Sequence, residues 1–245
     1  MYSKSSRKLP KAEKHNVDIP MFFSPKKLYK YLSAKGANAM LSSPVPELWF
    51  RLPNQLNDPY DLTPVGSCAD EFGGIGVFCM SESATSAPMW AHYASNGEGI
   101  VLEFSVNADF FRTYSPAKVQ YSGRRPTVKN PIKALTTKNR EWKYEREWRC
   151  FITPPSTMEG PIRFLGHEEA ISVPLDLKSV TAIIHGHDSR VDTSKFLERT
   201  DAAHIREFVC RTNAWKYGFG IREIGDLDYM FEQRDAALWG RRHRK

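Results

Sequence analysis

The 245-residue sequence predicts an α+β fold, with mixed or antiparallel central sheets and a few helices. Three observations carry that expectation. Short runs at 48–52, 76–80, 100–104 and 180–184 are apolar or alternate in polarity, and each is bounded by turn residues. The helical stretches between them are few and keep no regular βαβ rhythm. The chain is also 41% hydrophobic, enough at this length to bury one full core.

Taken in order, residues 27–32 read as a strand, with Leu28, Lys30 and Leu32 on one side and Tyr29 and Tyr31 on the other. The rival reading starts a helix at Ser24-Pro25. A helix over 34–41 follows the strand, then a loop marked by Pro44 and Pro46, then a strand over 48–52. Asn57-Asp58-Pro59 is turn chemistry. Gly73-Gly74-Ile75-Gly76 looks like a phosphate loop but enters a strand, whereas a dinucleotide loop must leave a strand and open a helix. Ser81, Ser83, Thr85 and Ser86 give that strand a hydroxyl-rich exit, and 88–94 fits a short helix stopped near Gly97. A strand over 100–104, a loop over 122–131, a helix over 132–139 and strands over 171–175 and 180–184 come next. Asp201 is expected to cap a helix carrying Ile205, Phe208 and Val209, before a closing strand over 219–224.

The totals exclude some classes. No apolar run approaches the ~18–20 residues of a membrane helix. Residues 1–16 lack the apolar centre of a secretory signal, and Cys68, Cys79, Cys150 and Cys210 have no CxxC spacing. Reduced thiols in a cytoplasmic protein are the expectation. The net charge of +7 sits mainly at the ends, on Lys4, Arg7, Lys8, Lys11 and Lys14, and on Arg241, Arg242, Arg244 and Lys245. The division is therefore a basic arm over 1–18, one α+β domain over 19–240 and a basic tail over 241–245. Such ends serve as solubilising tails or hold a polyanion without sequence preference.

The chemistry concentrates in Trp142-Lys143-Tyr144-Glu145-Arg146-Glu147-Trp148-Arg149. As a strand, fitting best from Tyr144 onward, this run puts Trp142, Tyr144, Arg146, Trp148, Cys150 and Ile152 on one face and Lys143, Glu145, Glu147 and Arg149 on the other. Two carboxylates two positions apart are candidate catalytic groups; an ordinary ion-pair ladder is the bland alternative.

Leu28-Tyr29-Lys30-Tyr31, Asn57-Asp58-Pro59-Tyr60-Asp61, Met89-Trp90-Ala91-His92-Tyr93-Ala94, 99–104 and Tyr144-Glu145-Arg146-Glu147-Trp148-Arg149 occur in that order. Together they resemble a widespread bacterial family of unknown function with the pattern LYKYR, NDPFD, MWxHYA, GxxLEF and YExEWR. The chain departs from it at Leu32, where the family has Arg, and at Tyr60, where Phe is common. The order of elements is also similar, more distantly, to ADP-ribosyltransferases: an early strand with a basic residue, a serine-rich second strand and a late strand with Glu-x-Glu. That similarity implies an enzyme that uses NAD as substrate, needs no metal and modifies a protein or nucleic acid, as a toxin or defence effector. Glu147 would face the ribose and Glu145 would orient or deprotonate the acceptor. Lys30 or Arg149 would meet pyrophosphate, Ser81 and Ser83 would take the place of the serine-rich strand, and Tyr29, Tyr31, Trp90, His92 and Tyr93 would supply rings or a polar contact.

Two other classes compete. Asp58, Asp61, Glu145 and Glu147 form an oxygen set that suits Mg²⁺ in a nuclease. A non-enzymatic module would bind nucleic acid through its basic ends and use the acids and rings as scaffold. His185-Gly186-His187-Asp188 lacks a spaced third ligand for a metal site.

Overall fold

A computed structural model describes residues 25–61, 74–125, 127, 130–152, 162–165, 168–213 and 217–224. The basic arm, the apolar run at 19–23 and the C-terminal tail lie outside these residues, as does Cys68.

The first element among the described residues is strand β1 (Lys27–Leu32), and alternation along it serves two cores at once. Leu28 packs into the main core on one side of the sheet, while Tyr31 packs on the opposite side against Trp90 and Val101. Helix α1 (Ala34–Leu41) starts where the Ser33 hydroxyl accepts from the Gly36 N–H. Strands β2 (Glu47–Arg51) and β3 (Gly76–Ser81) follow. Gly76 is required at the start of β3, because a Cβ there would lie 2.8 Å from the Cβ of Phe50 and 2.7 Å from the Ile152 side chain. Helix α2 (Ala87–Tyr93) carries Pro88 in its first turn, and β4 (Ile100–Ser105) is buried along nearly its whole length.

After α3 (Asp109–Thr113) come the short strands β5 (Ala117–Lys118) and β6 (Gln120–Ser122), then α4 (Pro131–Leu135) and β7 (Thr137–Asn139). The helix expected over 132–139 therefore stops at its midpoint. The hydroxyls of Thr136 and Thr137 donate to the carbonyls of Ile132 and Lys133, and this local bonding competes with further helix. A 3₁₀ helix over Arg140–Glu145 then leads into β8 (Glu147–Ile152). The strand expected from Tyr144 thus begins three residues late. Arg146, in the left-handed region at φ 47° and ψ 50°, separates the 3₁₀ turn from the strand.

The remaining elements are β9 (Ile162–Leu165), β10 (Glu168–Pro174), β11 (Val180–His185), α5 (Ser194–Leu197), β12 (Arg206–Thr212) and β13 (Phe219–Glu223). The helix expected beyond Asp201 is strand β12. Residues 201–204 are a turn, and residues 206–209 pair in parallel with Ala182 to His185 of β11. The sheet neighbour decided the outcome: Phe208, Val209 and Cys210 suit a pleated surface as well as a helical face.

The large sheet among the described residues has eleven strands, ordered β13-β12-β11-β4-β1-β3-β2-β10-β9, with β8 and β5 branching from β3. Only the β11–β12 pair is parallel within it; β6 and β7 form a separate parallel pair. The result is an α+β architecture with a mixed, mainly antiparallel sheet.

One irregularity positions the site. On one flank β3 pairs fully with β8, from Gly76↔Ile152 to Ser81↔Glu147. On its other flank Val77 pairs with Arg51 of β2, and Ser81 pairs with Tyr29 of β1. Cys79, midway between, faces the gap where β1 and β2 part. The Lys30 ammonium fills that place, donating to the Cys79 carbonyl at 3.0 Å. A strand carbonyl that no neighbouring strand satisfies needs such a donor.

Candidate functional site

The gap between β1 and β2 opens into a cavity of about 290 Å³. Its walls carry Tyr29, Lys30 and Tyr31 from β1, Cys79 and Ser81 from β3, Tyr93 from α2, and Glu145 and Glu147. Asn57 and Lys138 complete the polar side.

Glu147 is the first residue of β8 and lies opposite Ser81. Its backbone N–H donates to the Tyr121 hydroxyl at 2.8 Å. Glu145 is not on the strand, yet the left-handed turn at Arg146 brings its carboxylate beside that of Glu147. Lys138 bridges the two, 2.6 Å from Glu145 Oε2 and 3.3 Å from Glu147 Oε2. Tyr93 donates its hydroxyl to Glu145 Oε1 at 2.5 Å, and Asn57 donates to the same oxygen at 3.3 Å. Asn57 also hydrogen-bonds the Tyr93 hydroxyl. The Ser81 hydroxyl donates to the Glu145 carbonyl at 2.6 Å and so fixes the turn.

Arg149 lies behind this pair with no exposed surface. Its guanidinium uses all five donors: Nε and Nη2 to Glu147, Nη1 and Nη2 to Asp61, and Nη1 to the Leu135 carbonyl at 2.7 Å. A buried charge in this position is tolerable only when it is fully paired.

The two carboxylates hold protons differently. Burial disfavours the ionised form of Glu147, but Arg149 and Lys138 outweigh it and hold the carboxyl at about 2. For Glu145, burial dominates; Lys138 opposes it, Glu147 adds to it, and the carboxyl is raised above its ordinary range. Burial also works against the Lys138 ammonium, yet Glu147 and Glu145 keep it charged. Lys30 is pushed down by burial, and the Cys79 thiol is pushed up to about 12, chiefly by burial and then by Glu147. Three carboxylates (Asp61, Glu145 and Glu147) thus surround Lys138 and Arg149. Glu147 is held in its charged form by its cations, whereas burial raises the carboxyls of Glu145 and Asp61.

Of the residues selected from sequence, Tyr29, Lys30, Tyr31, Ser81, Tyr93, Glu145 and Glu147 meet at the cavity. Four do not line it. Trp90 is core, with its Nε1–H donating to the Ala84 carbonyl and its ring edge-on to Tyr31 at 5.3 Å. Arg149 is the buried counterion of Asp61 and Glu147, which corrects its expected contact with pyrophosphate. Ser83 caps local turns, and His92 is exposed beside Tyr144. Tyr31 lends its ring edge only, since its hydroxyl donates to the Ser83 carbonyl.

Lys138 was not selected from sequence, although both acids depend on it. It lies in Thr137-Lys138-Asn139, a stretch with no motif, within the helix expected over 132–139. Asn57 and Tyr121 were missed for a similar reason, as polar residues that only tertiary pairing distinguishes.

The oxygen set for a divalent cation does not form. Asp61 is engaged by Arg149, Asp58 Oδ1 accepts from the Tyr60 N–H, and an ammonium already stands between Glu145 and Glu147. Among the described residues no group of three or more His, Cys, Asp or Glu side chains is placed to hold a metal ion. None of their helices is long and apolar enough to cross a membrane.

The α+β fold and this cavity are the setting for the comparisons with known proteins. The model of a family described as "Protein of unknown function (DUF2971)" matches residues 89–150, which run from α2 to β8. That span carries Tyr93, Tyr121, Lys138, Glu145 and Glu147. No curated protein and no solved structure matches the chain.

Proposed function

We propose that the protein cleaves the nicotinamide–ribose bond of NAD and transfers ADP-ribose to a macromolecule. The observation that supports this reading is the pair Glu145 and Glu147. Both acids line one cavity and are bridged by one lysine, yet their proton affinities are shifted in opposite directions. Environments that push two carboxyls apart assign them different roles.

The bond that breaks joins ribose C1′ to the pyridinium nitrogen. Nicotinamide leaves with the electron pair, and positive charge builds on the ribose as in glycoside cleavage. Glu147, ionised, stabilises that charge and takes a ribose hydroxyl on its remaining acceptor capacity. An acceptor nucleophile then bonds C1′ and gives its proton to the Glu145 carboxylate, whose raised pKa suits a general base. Lys30 draws the phosphate end of the substrate, and the Tyr29 and Tyr93 rings bound the cavity. At about 290 Å³ the cavity lies near the lower bound of small-molecule sites, which suits one nucleoside-sized half of the dinucleotide.

The nuclease reading is weaker, because its carboxylates are spent on Arg149 and Lys138. Incubating the full chain with NAD and measuring free nicotinamide tests the proposal. Release undiminished by a metal chelator is expected. Nucleic-acid cleavage that requires Mg²⁺, with NAD left intact, would overturn it.

A further inference from the structure

A second cavity, of about 350 Å³, lies on the other side of Lys138. It is lined by Asp58 and Tyr60 from the turn after β2, by Ser122 at the end of β6 with Arg124 and Arg125 after it, and by Thr137 to Asn139 of β7. The two cavities are neighbours by construction. Lys138 lines both, and the adjacent residues Asn57 and Asp58 line the first and the second respectively.

Three features describe what the second cavity takes. Its rim is cationic: Arg124 and Arg125 are exposed, and the Arg140 guanidinium lies over Gly123, where a Cβ would come within 2.6 Å of Nη2. It offers a ring: Tyr60 is 54% exposed, an unusual degree for a large aromatic, and Arg125 stands 5.4 Å from its centroid. It also holds an unsatisfied acceptor. Asp58 is only 3% exposed, and its Oδ2 has no hydrogen-bond partner among the described residues. A buried carboxylate oxygen without a donor is costly, and a ligand N–H would relieve it.

We infer that this second cavity binds a single-stranded nucleic-acid segment, with phosphates at Arg124, Arg125 and Arg140, a base on Tyr60 and a base N–H at Asp58. Stacking on an exposed ring beside a cationic groove is how proteins hold single strands. A basic peptide would meet repulsion from the three arginines, whereas a nucleic-acid strand supplies phosphates for them, a base N–H for Asp58 and a π face for Tyr60. The inference rests on the proposed ADP-ribosyl transfer only in naming this strand as the acceptor; the binding itself stands apart from it.

The test measures fluorescence anisotropy of labelled single-stranded DNA and RNA oligonucleotides of mixed sequence with the full chain near physiological salt. Arg124→Glu together with Arg125→Glu, and separately Tyr60→Ala, should each weaken binding by about tenfold or more. All three sites are exposed, and thermal unfolding verifies that the variants fold. Asp58→Asn should change the preference among bases. Binding that is unaltered in the arginine and tyrosine variants would place the contact on the basic ends and overturn the inference. So would ADP-ribosylation of a protein acceptor by a chain that binds no oligonucleotide. If NAD is not consumed but the arginine variant still loses oligonucleotide binding, the NAD reading falls and the second cavity stands. If NAD is consumed and the variants bind oligonucleotide as the parent does, the reverse holds.

Discussion

Asp61 and Arg149, 88 residues apart in the chain, face each other through two buried hydrogen bonds of 3.0 and 2.9 Å. This fork ties the turn after β2 to the strand that carries Glu147, and it holds Glu147 from behind. The acids of the cavity therefore stand on a second layer of ion pairing rather than on the strand alone.

Removing one member of that layer leaves a buried charge short of partners: without Asp61, Arg149 loses two of its five hydrogen bonds, and without Arg149, Asp61 loses both bonds from the guanidinium. Asp61→Asn and Arg149→Met should each destabilise the protein by about 3–5 kcal/mol. Arg149→Lys should also be costly, because an ammonium cannot reproduce five fixed donors. Urea unfolding of the three variants measures this, and a loss below about 1 kcal/mol for all of them would mean that the fork contributes little.

Arg146 adopts a backbone conformation that favours glycine. Arg146→Gly should fold as the parent does and place Glu145 as before. Arg146→Val should cost at least about 1–2 kcal/mol, since a β-branched residue fits that region poorly. Equal stability of the two variants would show that the turn is not held in this form.

Glu147 gives a signed dependence on pH. Its folded carboxyl is depressed from the ordinary 4.5 to about 2. The stability it confers is complete above 4.5 and is lost as pH falls through about 2. Stability should therefore decline on acidification across that window. Glu145 acts oppositely: its folded carboxyl is raised, so it loses stability as pH rises from 4.5 through its folded value. Glu147→Gln should flatten the acid decline, and chemical unfolding at successive pH values reads it.

The hydrogen bond from Tyr93 lowers the Glu145 carboxyl against the stronger effect of burial. Tyr93→Phe removes that bond, so the Glu145 pKa should rise. If Glu145 is the base, the acid limb of the rate–pH profile for acceptor modification moves to higher pH. An unmoved limb would give the base role to another group.

Much of the fold was legible in residues whose patterns are local. Leu28, Lys30 and Leu32 alternate with Tyr29 and Tyr31 as a two-sided strand requires, and β1 is that strand. Trp148 and Cys150 face the main core while Glu147 and Arg149 face away, as the alternation implied. The errors fall where long-range partners decide. Residues 206–209 become a strand only because β11 offers an edge, and Lys138 acquires its importance from acids that fold back onto it. The Glu-x-Glu spacing was read as one strand face; a 3₁₀ turn and a left-handed residue bring the same two side chains together by a different route. Sequence supplied the acids, and only tertiary structure reveals the ion pairs that set their proton affinities apart.

Bond cleavage as proposed requires Glu147 to confront a ribose. The most direct measurement is the rate of nicotinamide release from NAD by the parent chain and by Glu147→Gln, with NAD binding and folding verified for both. Loss of one carboxylate that stabilises the developing charge should lower the rate by about 10²-fold or more while NAD still binds. Release at the parent rate from a folded Glu147→Gln protein would contradict the account.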